Sequence, residues 1–241
     1  MRPHALAAAT AAALAAAAFA AQPSPAGTVT FLAGEASRAA GGARAKLAQG
    51  GPVYAGDVLE TGRRTRLEVK LADGSALRLG PATRALVETA RFGKTVEERK
   101  VSAKLLVGKV WANVAKAVGG EARFEVQTEN AVAGVRGTTF RVDAATDRSV
   151  VVKVYSGTVA VAAGPIPRPE HARAAPARPE RRQIAGPQQV SREQWEKIVT
   201  GMMQVRVSAE GVPGEPEKFA LAAAGGDEWE EWNRGRDAAS P

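Results

Sequence analysis

The residue types best suited to nucleophilic, acid–base or metal chemistry are nearly missing from this chain. It contains no cysteine and only two histidines, His4 and His171. His4 lies in an alanine-rich leader and His171 in a proline-rich stretch. A Ser-His-Asp or Cys-His arrangement therefore has almost no base available, and a histidine metal site is excluded. The sequence predicts a protein that is not an enzyme and uses no cofactor or metal.

Carboxylates are the remaining candidates for catalysis, and their positions favour structural roles. Asp57 follows Gly56 in a turn-forming pair, where the side chain is expected to cap its own backbone. Glu228, Glu230 and Glu231 cluster on the first turn of a predicted C-terminal helix, where solvated charge is expected.

Basic residues offer a second kind of chemistry, the binding of anions. The formal net charge is +8, with eleven Lys/Arg against five Asp/Glu from Gly62 to Lys104. From Glu210 to Asp237 the balance reverses, to three against eight. Such a basic body with an acidic tail can attract a polyanion or its own tail, or its charges can simply be solvated. The candidate binding residues, expected near turns and on outward strand positions, are Arg63, Arg64, Arg66, Lys70 and Arg78.

The first 20 residues are predicted to be a secretory signal peptide. Arg2 supplies a positive charge, residues 5–18 form an Ala/Leu-rich run, and Ala18-Phe19-Ala20 offers a small-x-small cleavage site. A membrane anchor is the alternative, but the run is shorter than the ~20 residues that a spanning helix needs. We therefore expect a periplasmic or secreted protein with no stable membrane span after cleavage.

Short alternating segments separated by turn residues indicate an all-β unit over residues 27–163. Leu67, Val69 and Leu71 alternate with charged residues, and the Asp73-Gly74 pair that follows is a strong hairpin signal. Two short strands are predicted on either side of Gly108, and a second hairpin is predicted at Ser156-Gly157. The expected architecture is a compact, wound β-domain with solenoid-like or sandwich character, plus short C-terminal helices.

One stretch stands out from this alternation because a glycine interrupts it. The apolar run from Ala131 breaks at Arg136-Gly137-Thr138 and resumes with Phe140 and Val142 on one face. A glycine between two strand-like runs marks a bulge or a close backbone approach. The structural signature residues are Gly134, Arg136, Gly137, Thr138 and Phe140.

The chain changes character after residue 163. Residues 164–182 are rich in proline and arginine and are predicted to be an inserted loop or a linker. Residues 183–209 are expected to give a closing strand at 183–190, a short helix that starts at a capping box (Ser191–Gln194) and carries Trp195, Ile198 and Val199, and a final strand. Residues 210–241 form an acidic tail with a helix that carries Trp229 and Trp232 on one face, a pair expected to dock onto its own protein.

The interrupted stretch, TENAVAGVRGTTFRVD, resembles the signature of FecR-domain proteins. The similarity continues upstream through GGPVYAGDVLETGRRTRLEVKLADGSALRLGPATRALV and LLVGKVWANV, and downstream through VVKVYSGTVAVAAG. It covers roughly residues 27–163 and implies a wound β-fold that signals or binds.

For function, the resemblance implies a role in envelope regulation, since membrane-bound relatives receive a signal outside the cell and control a sigma factor inside. No anti-sigma segment is seen ahead of the leader, so we expect a soluble, exported type of the family. The expected partner is an envelope protein, with an envelope glycan or similar polymer as the alternative, and nucleic acid is not expected.

Overall fold

The computed structural model describes residues 24–93, 95, 98–116, 123–135, 137–164 and 196–239. Four sequence predictions lie outside these residues: the signal peptide, nearly all of the Pro/Arg-rich segment, the strand at 183–190 and the capping box. The described residues form β1 (Gly27–Ala33), β2 (Ala36–Ala40), β3 (Ala43–Lys46), β4 (Pro52–Val53), β5 (Val58–Thr61), β6 (Arg66–Leu71), β7 (Ala76–Leu79), β8 (Arg84–Phe92), β9 (Arg99–Asn113), β10 (Arg123–Gln127), β11 (Ala131–Val135), β12 (Thr139–Ala144), β13 (Val150–Ser156), β14 (Thr158–Ala163), β15 (Glu196–Thr200), β16 (Met203–Val207), β17 (Glu217–Lys218) and one helix, α1 (Glu228–Ala238).

The strands pair into two open sheets that share β9. In spatial order the first sheet contains β4, β1, β6, β7, the C-terminal half of β9, β12, β13, β16 and β17. The second contains β3, β2, β5, β8, the N-terminal half of β9, β10, β11, β14 and β15. Every pairing is antiparallel except that of β9 with β10. The predicted all-β, wound architecture is confirmed.

A single hydrophobic core fills the space between the sheets. Val and Leu side chains at alternate positions of both sheets are buried in one cluster, as the period of two requires. Phe124 of the second sheet meets Phe140 of the first edge to face, with ring centroids 6.4 Å apart. The sequence places the inward residues of β6 and β7 correctly, since Leu67, Val69, Leu77 and Leu79 are all buried.

β9 is one continuous strand of 15 residues, whereas the sequence predicts two strands split at Gly108. Gly108 has φ +103°, and a β-carbon there would collide with Thr83. Glycine adopts this backbone conformation without strain, so the strand bends at Gly108 and continues into the other sheet. The glycine marks the sheet change and not the end of a strand.

The kink at Gly108 is one of three similar corners where the chain changes sheets. At each, a positive-φ glycine packs against a buried threonine on a neighbouring segment. The Thr83 hydroxyl accepts from the Lys109 N–H at 2.9 Å and lies 3.3 Å from the Lys109 carbonyl, so it satisfies main-chain groups at the bend. The pairs are Gly34 with Thr65, Gly108 with Thr83, and Gly157 with Thr138.

The hairpin predicted at Ser156-Gly157 is wrong. β13 pairs with β12 and β16 in the first sheet, whereas β14 pairs with β11 and β15 in the second. A β-carbon on Gly157 would lie 2.9 Å from the Thr138 hydroxyl oxygen and 3.1 Å from the Gly137 carbonyl. The close approach shows why a Ser-Gly turn serves here as a corner between sheets.

Phe31 and Val29 lie on opposite faces of β1, although their spacing of two residues predicts a shared face. The register of β1 against β6 shifts between these two residues. Such a bulge moves every later side chain of the strand to the opposite face. Val29 is therefore in the core, while Phe31 lies on the outer face and packs against Trp232, 5.2 Å between centroids.

The short helix predicted to carry Ile198 and Val199 is a third error, because residues 196–200 form strand β15. Val199 points into the core and Ile198 points outward, which is the alternation of an edge strand. Pairing with β14 outweighs the local helix signal. Because β14 and β15 pair directly, residues 165–195 connect two neighbouring strands of one sheet.

α1 forms where the sequence predicts the C-terminal helix. Asp227 caps it, and its carboxylate accepts from the Glu230 N–H at 2.9 Å. Acidic residues occupy the first turn and Arg236 the last, as the helix dipole favours. Within the described ranges, no helix is both long and apolar enough to cross a membrane.

Candidate functional site

The structural signature forms the passage from β11 in the second sheet to β12 in the first. Gly137 has φ +59°, and a β-carbon there would lie 2.7 Å from Cγ of Lys116. The Thr138 hydroxyl donates to the Thr158 carbonyl at 3.0 Å, and Phe140 is fully buried. Gly134 lies within β11, where a β-carbon would make an ordinary contact with the Ala160 carbonyl at 4.0 Å, and Arg136 lies outside the described residues.

The signature therefore builds the fold at a corner between the sheets. Its described side chains turn toward the core and the neighbouring main chain, and Gly137 supplies the backbone conformation that the turn requires. We assign a structural role to Gly137, Thr138 and Phe140.

The five candidate binding residues do not form one exposed surface. Arg63, Arg64 and Lys70 are exposed, but the Arg66 side chain is 33% exposed and Arg78 is only 1% exposed. Arg78 lies at an outward strand position, as predicted, but it is not exposed. Its side chain does leave the core side of β7, but α1 covers that face of the sheet.

A continuous row of residues, which we call the outer row, crosses the outer face of the first sheet, and α1 contacts its first five members. Each member is directly opposite the next on the paired strands. Such facing side chains lie about 5 Å apart at Cβ and interact directly. The members are Phe31, Glu68, Arg78, Trp111, Arg141, Lys153, Gln204 and Glu217.

Arg78 joins the outer row to α1 at the C-terminal end of the helix. Its guanidinium lies 2.6 Å from a Glu68 oxygen and 2.6 Å from Asp237 Oδ1, and it also donates to the Asn233 carbonyl at 3.3 Å. Arg236 of α1 pairs with the same Glu68 carboxylate at 2.5 Å. Both arginines therefore share one buried acid.

These contacts set the charge state of Glu68. Burial by itself would raise its pKa, but hydrogen bonds from Arg236, Thr30 and Arg78 outweigh that effect and lower it from 4.5 to about 2. Glu68 is consequently ionised under all ordinary conditions, and its charge is held by two cations and one hydroxyl.

Asp237 is the acceptor for three outer-face donors. Besides Arg78, it accepts from the Trp111 indole N–H and from the Asn113 amide, both at 2.9 Å. Trp111 is fully buried and uses its one polar atom here, so its indole N–H is satisfied by a single partner.

Arg141 holds the N-terminal end of α1. Its guanidinium lies 2.6 Å from the carboxylate of the cap residue Asp227 and 2.7 Å from Asp143. Burial opposes the charge of Arg141, but its bonds to Asp143 and Asp227 dominate and raise its pKa above the usual range. Burial likewise opposes ionisation of Asp227, yet the bonds from Arg141 and the Glu230 N–H lower the Asp227 pKa.

The two tryptophans of α1 lie against the sheet, which confirms the predicted docking onto the same chain. Trp229 is 5% exposed and packs edge to face with Trp111 at 6.3 Å, while the Arg141 guanidinium lies 5.1 Å from its ring centroid. Trp232 packs on Phe31 and lies 5.8 Å from the Arg66 guanidinium.

One member of the acidic cluster is not solvated, contrary to the sequence prediction. Glu230 is 1% exposed, accepts from the Tyr155 hydroxyl at 2.9 Å and from the Ala222 N–H at 3.2 Å. Burial and the neighbouring Glu230 charge both raise the Tyr155 pKa, so the phenol stays protonated and donates. Glu228 remains exposed and pairs with Arg66 at 3.4 Å.

The carboxylate of Asp57 caps its turn, as predicted. It accepts from the Tyr54 N–H at 2.8 Å and pairs with Arg38 at 3.1 Å, while its own side chain is 1% exposed. In the part of the chain that the structure describes, no three His, Asp or Glu side chains come together in a way that could hold a metal ion.

The helix-covered face was missed by the sequence reasoning, although part of it was detectable. Glu68, Arg78 and Trp111 all stand at outward positions of adjacent strands, and a facing acid, cation and indole already form a plausible cluster. The missing information was the position of α1, which lies more than a hundred residues further along the chain.

Comparison with known proteins identifies a family for the central part of the chain, which excludes α1. Residues 57–160 match the family model described as FecR protein, and no curated protein matches the chain. Two crystal structures of a protein from Parabacteroides distasonis, each described as a "putative anti-sigma factor", superpose with a TM-score of 0.45 and 19% identity. Each superposition covers 67% of this chain and 58% of the other.

Proposed function

Because this chain carries a FecR domain, we propose that it is a non-enzymatic, exported module that senses or signals by binding another protein in the cell envelope. The observation that carries the proposal is the FecR match over residues 57–160, since the family consists of regulators rather than enzymes. It also agrees with the scarcity of histidine and cysteine.

A protein partner is favoured over a polymer by the use that the structure makes of its cations. Arg66, Arg78 and Arg141 are paired with carboxylates of α1. The cations needed for a polyanion surface are thus partly neutralised by the acidic tail, and Arg63 and Arg64 remain as exposed charges at one turn.

Export is the first part of the proposal that can be tested. Expression of the full chain in a bacterial host with intact secretion should yield a protein whose N-terminus is at or near Ala21. Mass spectrometry of the exported protein decides the question, and a purified protein that still begins at Met1 would contradict export by cleavage.

Partner binding is tested with the mature protein immobilised and exposed to envelope extract at low and at high salt. A protein partner should stay bound at both salt concentrations, whereas a polyanion should be released as screening increases. Arg63→Glu with Arg64→Glu serves as the matched variant, because both side chains are exposed and the fold should survive. Binding that disappears both at high salt and in this variant would favour the polymer.

A further inference from the structure

The segment that carries α1 is attached to the sheets by an exposed connection. Residues 220–226 are almost all exposed, and Gly225 and Gly226 immediately precede the helix cap. Gly225 has φ +80° with open space around it. The Phe219 N–H donates to the Met202 carbonyl, which holds the chain to the sheet at that point. From there to Asp227, few contacts hold the chain against the sheet.

The docked side of α1 is held by charged and polar side chains in addition to its two tryptophans. Arg141 binds the carboxylate of the helix cap, Arg78 binds Asp237, and Tyr155 binds Glu230. Buried ion pairs give specificity of position more than net stability, because the desolvation of both charges offsets much of their attraction. The outer row is thus specific for a helix with a matching pattern of charged and aromatic side chains. The modest net stability of these contacts allows another helix to displace α1.

α1 is also an incomplete match to the surface that it covers. Trp229 Nε1 and Asn233 Oδ1 are buried without a hydrogen-bond partner among the described residues. Both atoms belong to α1, at the face turned to the sheet, so its own residues carry the desolvation penalty. A helix with the same charges but without these two polar atoms would fit the same surface better.

We propose that the outer-row face under α1 is a recognition groove for a helix of a partner protein, and that α1 occupies it as an internal competitor. The groove is lined by Phe31, Arg78, Trp111, Arg141 and Tyr155. The partner helix has acidic residues at the positions of Asp227 and Asp237 and apolar aromatic residues at those of Trp229 and Trp232. This inference rests on the proposed function, for which it names the surface and the class of partner.

A second copy of this chain is a weaker occupant than a partner. Its helix would present the same two unsatisfied atoms, and it would compete with an α1 that is tethered beside the groove at high effective concentration. The connection before α1 contains two glycines, with open space around Gly225, so no strained hinge drives exchange between copies. Only a helix with better contacts gains by displacing α1.

The test uses the full mature chain and a fluorescent synthetic peptide of residues 224–239. Trp229→Ala with Trp232→Ala weakens α1 but leaves every groove residue intact, and Arg234→Ala, at an exposed position of the same helix, is the control. By fluorescence anisotropy, the double variant should bind the peptide at least about tenfold more tightly than the wild-type or control protein, because its own helix competes less.

Peptide variants test the two structural arguments separately. A peptide with Trp229→Phe and Asn233→Ala should bind several-fold more tightly than the natural peptide, since it lacks the unsatisfied atoms. A peptide with Asp227→Ala and Asp237→Ala should bind far more weakly. Arg141→Gln, added to the double-variant protein, should weaken binding of the natural peptide as much as the Asp227→Ala, Asp237→Ala changes in the peptide do.

Should the double variant fail to fold, judged by circular dichroism, the wild-type protein decides the matter. An excess of the Trp229→Phe, Asn233→Ala peptide should then accelerate hydrogen exchange in α1 and leave the strands unchanged. The proposal would be overturned if all peptides bound equally, if the double-variant protein bound none of them, or if hydrogen exchange in α1 stayed unchanged. A dimer held together by exchanged helices would also overturn it. Partner capture that persists in those cases leaves the proposed function standing.

Discussion

Replacement of Arg78 by methionine is the sharpest test of the network between α1 and the sheet. Arg78 is 1% exposed and bonds to Glu68 and to Asp237 at 2.6 Å each. Methionine retains most of the length and the apolar stem of arginine but removes every donor. Two carboxylates then lose a buried counterion at the same time.

The size of the effect follows from what each carboxylate retains. Removal of one member of a buried ion pair typically costs about 3–5 kcal/mol. Glu68 still has Arg236 and Thr30, and Asp237 still has Trp111 and Asn113. We therefore expect a loss at the lower end, about 3 kcal/mol of unfolding free energy.

Urea unfolding monitored by tryptophan fluorescence and by circular dichroism measures this loss. The midpoint should fall with little change in slope, because the surface exposed on unfolding is nearly the same. Arg63→Met, at an exposed position, is the control and should change stability by less than about 0.5 kcal/mol. A loss below about 1 kcal/mol in Arg78→Met would refute the view that this pair is a buried, coupled network.

Three further outcomes are expected from other parts of the molecule. The pKa of Glu68 is lowered to about 2, so ionised Glu68 should contribute to stability above pH 4.5, and this contribution should vanish as the pH falls toward 2. In Glu68→Gln, the unfolding free energy should therefore fall less steeply with decreasing pH in this range than in the wild type. Gly137→Val should lower stability by roughly 1–3 kcal/mol from backbone strain, and an unchanged melting temperature would disprove this. Gly134→Ala should be tolerated, because the new methyl group meets the Ala160 carbonyl at an ordinary contact distance of 4.0 Å. Thr83→Val should cost about 1 kcal/mol in urea unfolding because it removes the acceptor of the partly buried Lys109 N–H, and Thr83→Ser should retain most of the stability.

The strands could be predicted from sequence because alternation reports which side of a strand faces apolar surroundings. It located the inward residues of β6 and β7 and the helix at Asp227. It did not reveal what covers the opposite side, so Arg78 was assigned to solvent. A residue on the outer face of one layer is buried or exposed according to a segment that packs on it, and no local pattern contains that information.

The sequence predictions at the corners between the sheets were wrong for a different physical reason. A glycine with positive φ serves a tight hairpin and a sheet-changing corner equally well, so Gly108 and Gly157 carry the same local signal as true turns. Only the pairing partners of β13 and β14 distinguish the two outcomes. The helix predicted for Ile198 and Val199 failed likewise, since β14 offers main-chain partners that a short helix cannot match.

The shared strand β9 has a mechanical consequence. Because one strand belongs to both sheets and the chain crosses between them at the glycine corners, neither layer can slide or rotate without breaking its own backbone pairing. Shear between layers is a common motion in two-layer proteins, but the shared strand prevents it in this protein. The body is expected to behave as a rigid platform, and larger motions fall to the peripheral segment that carries α1.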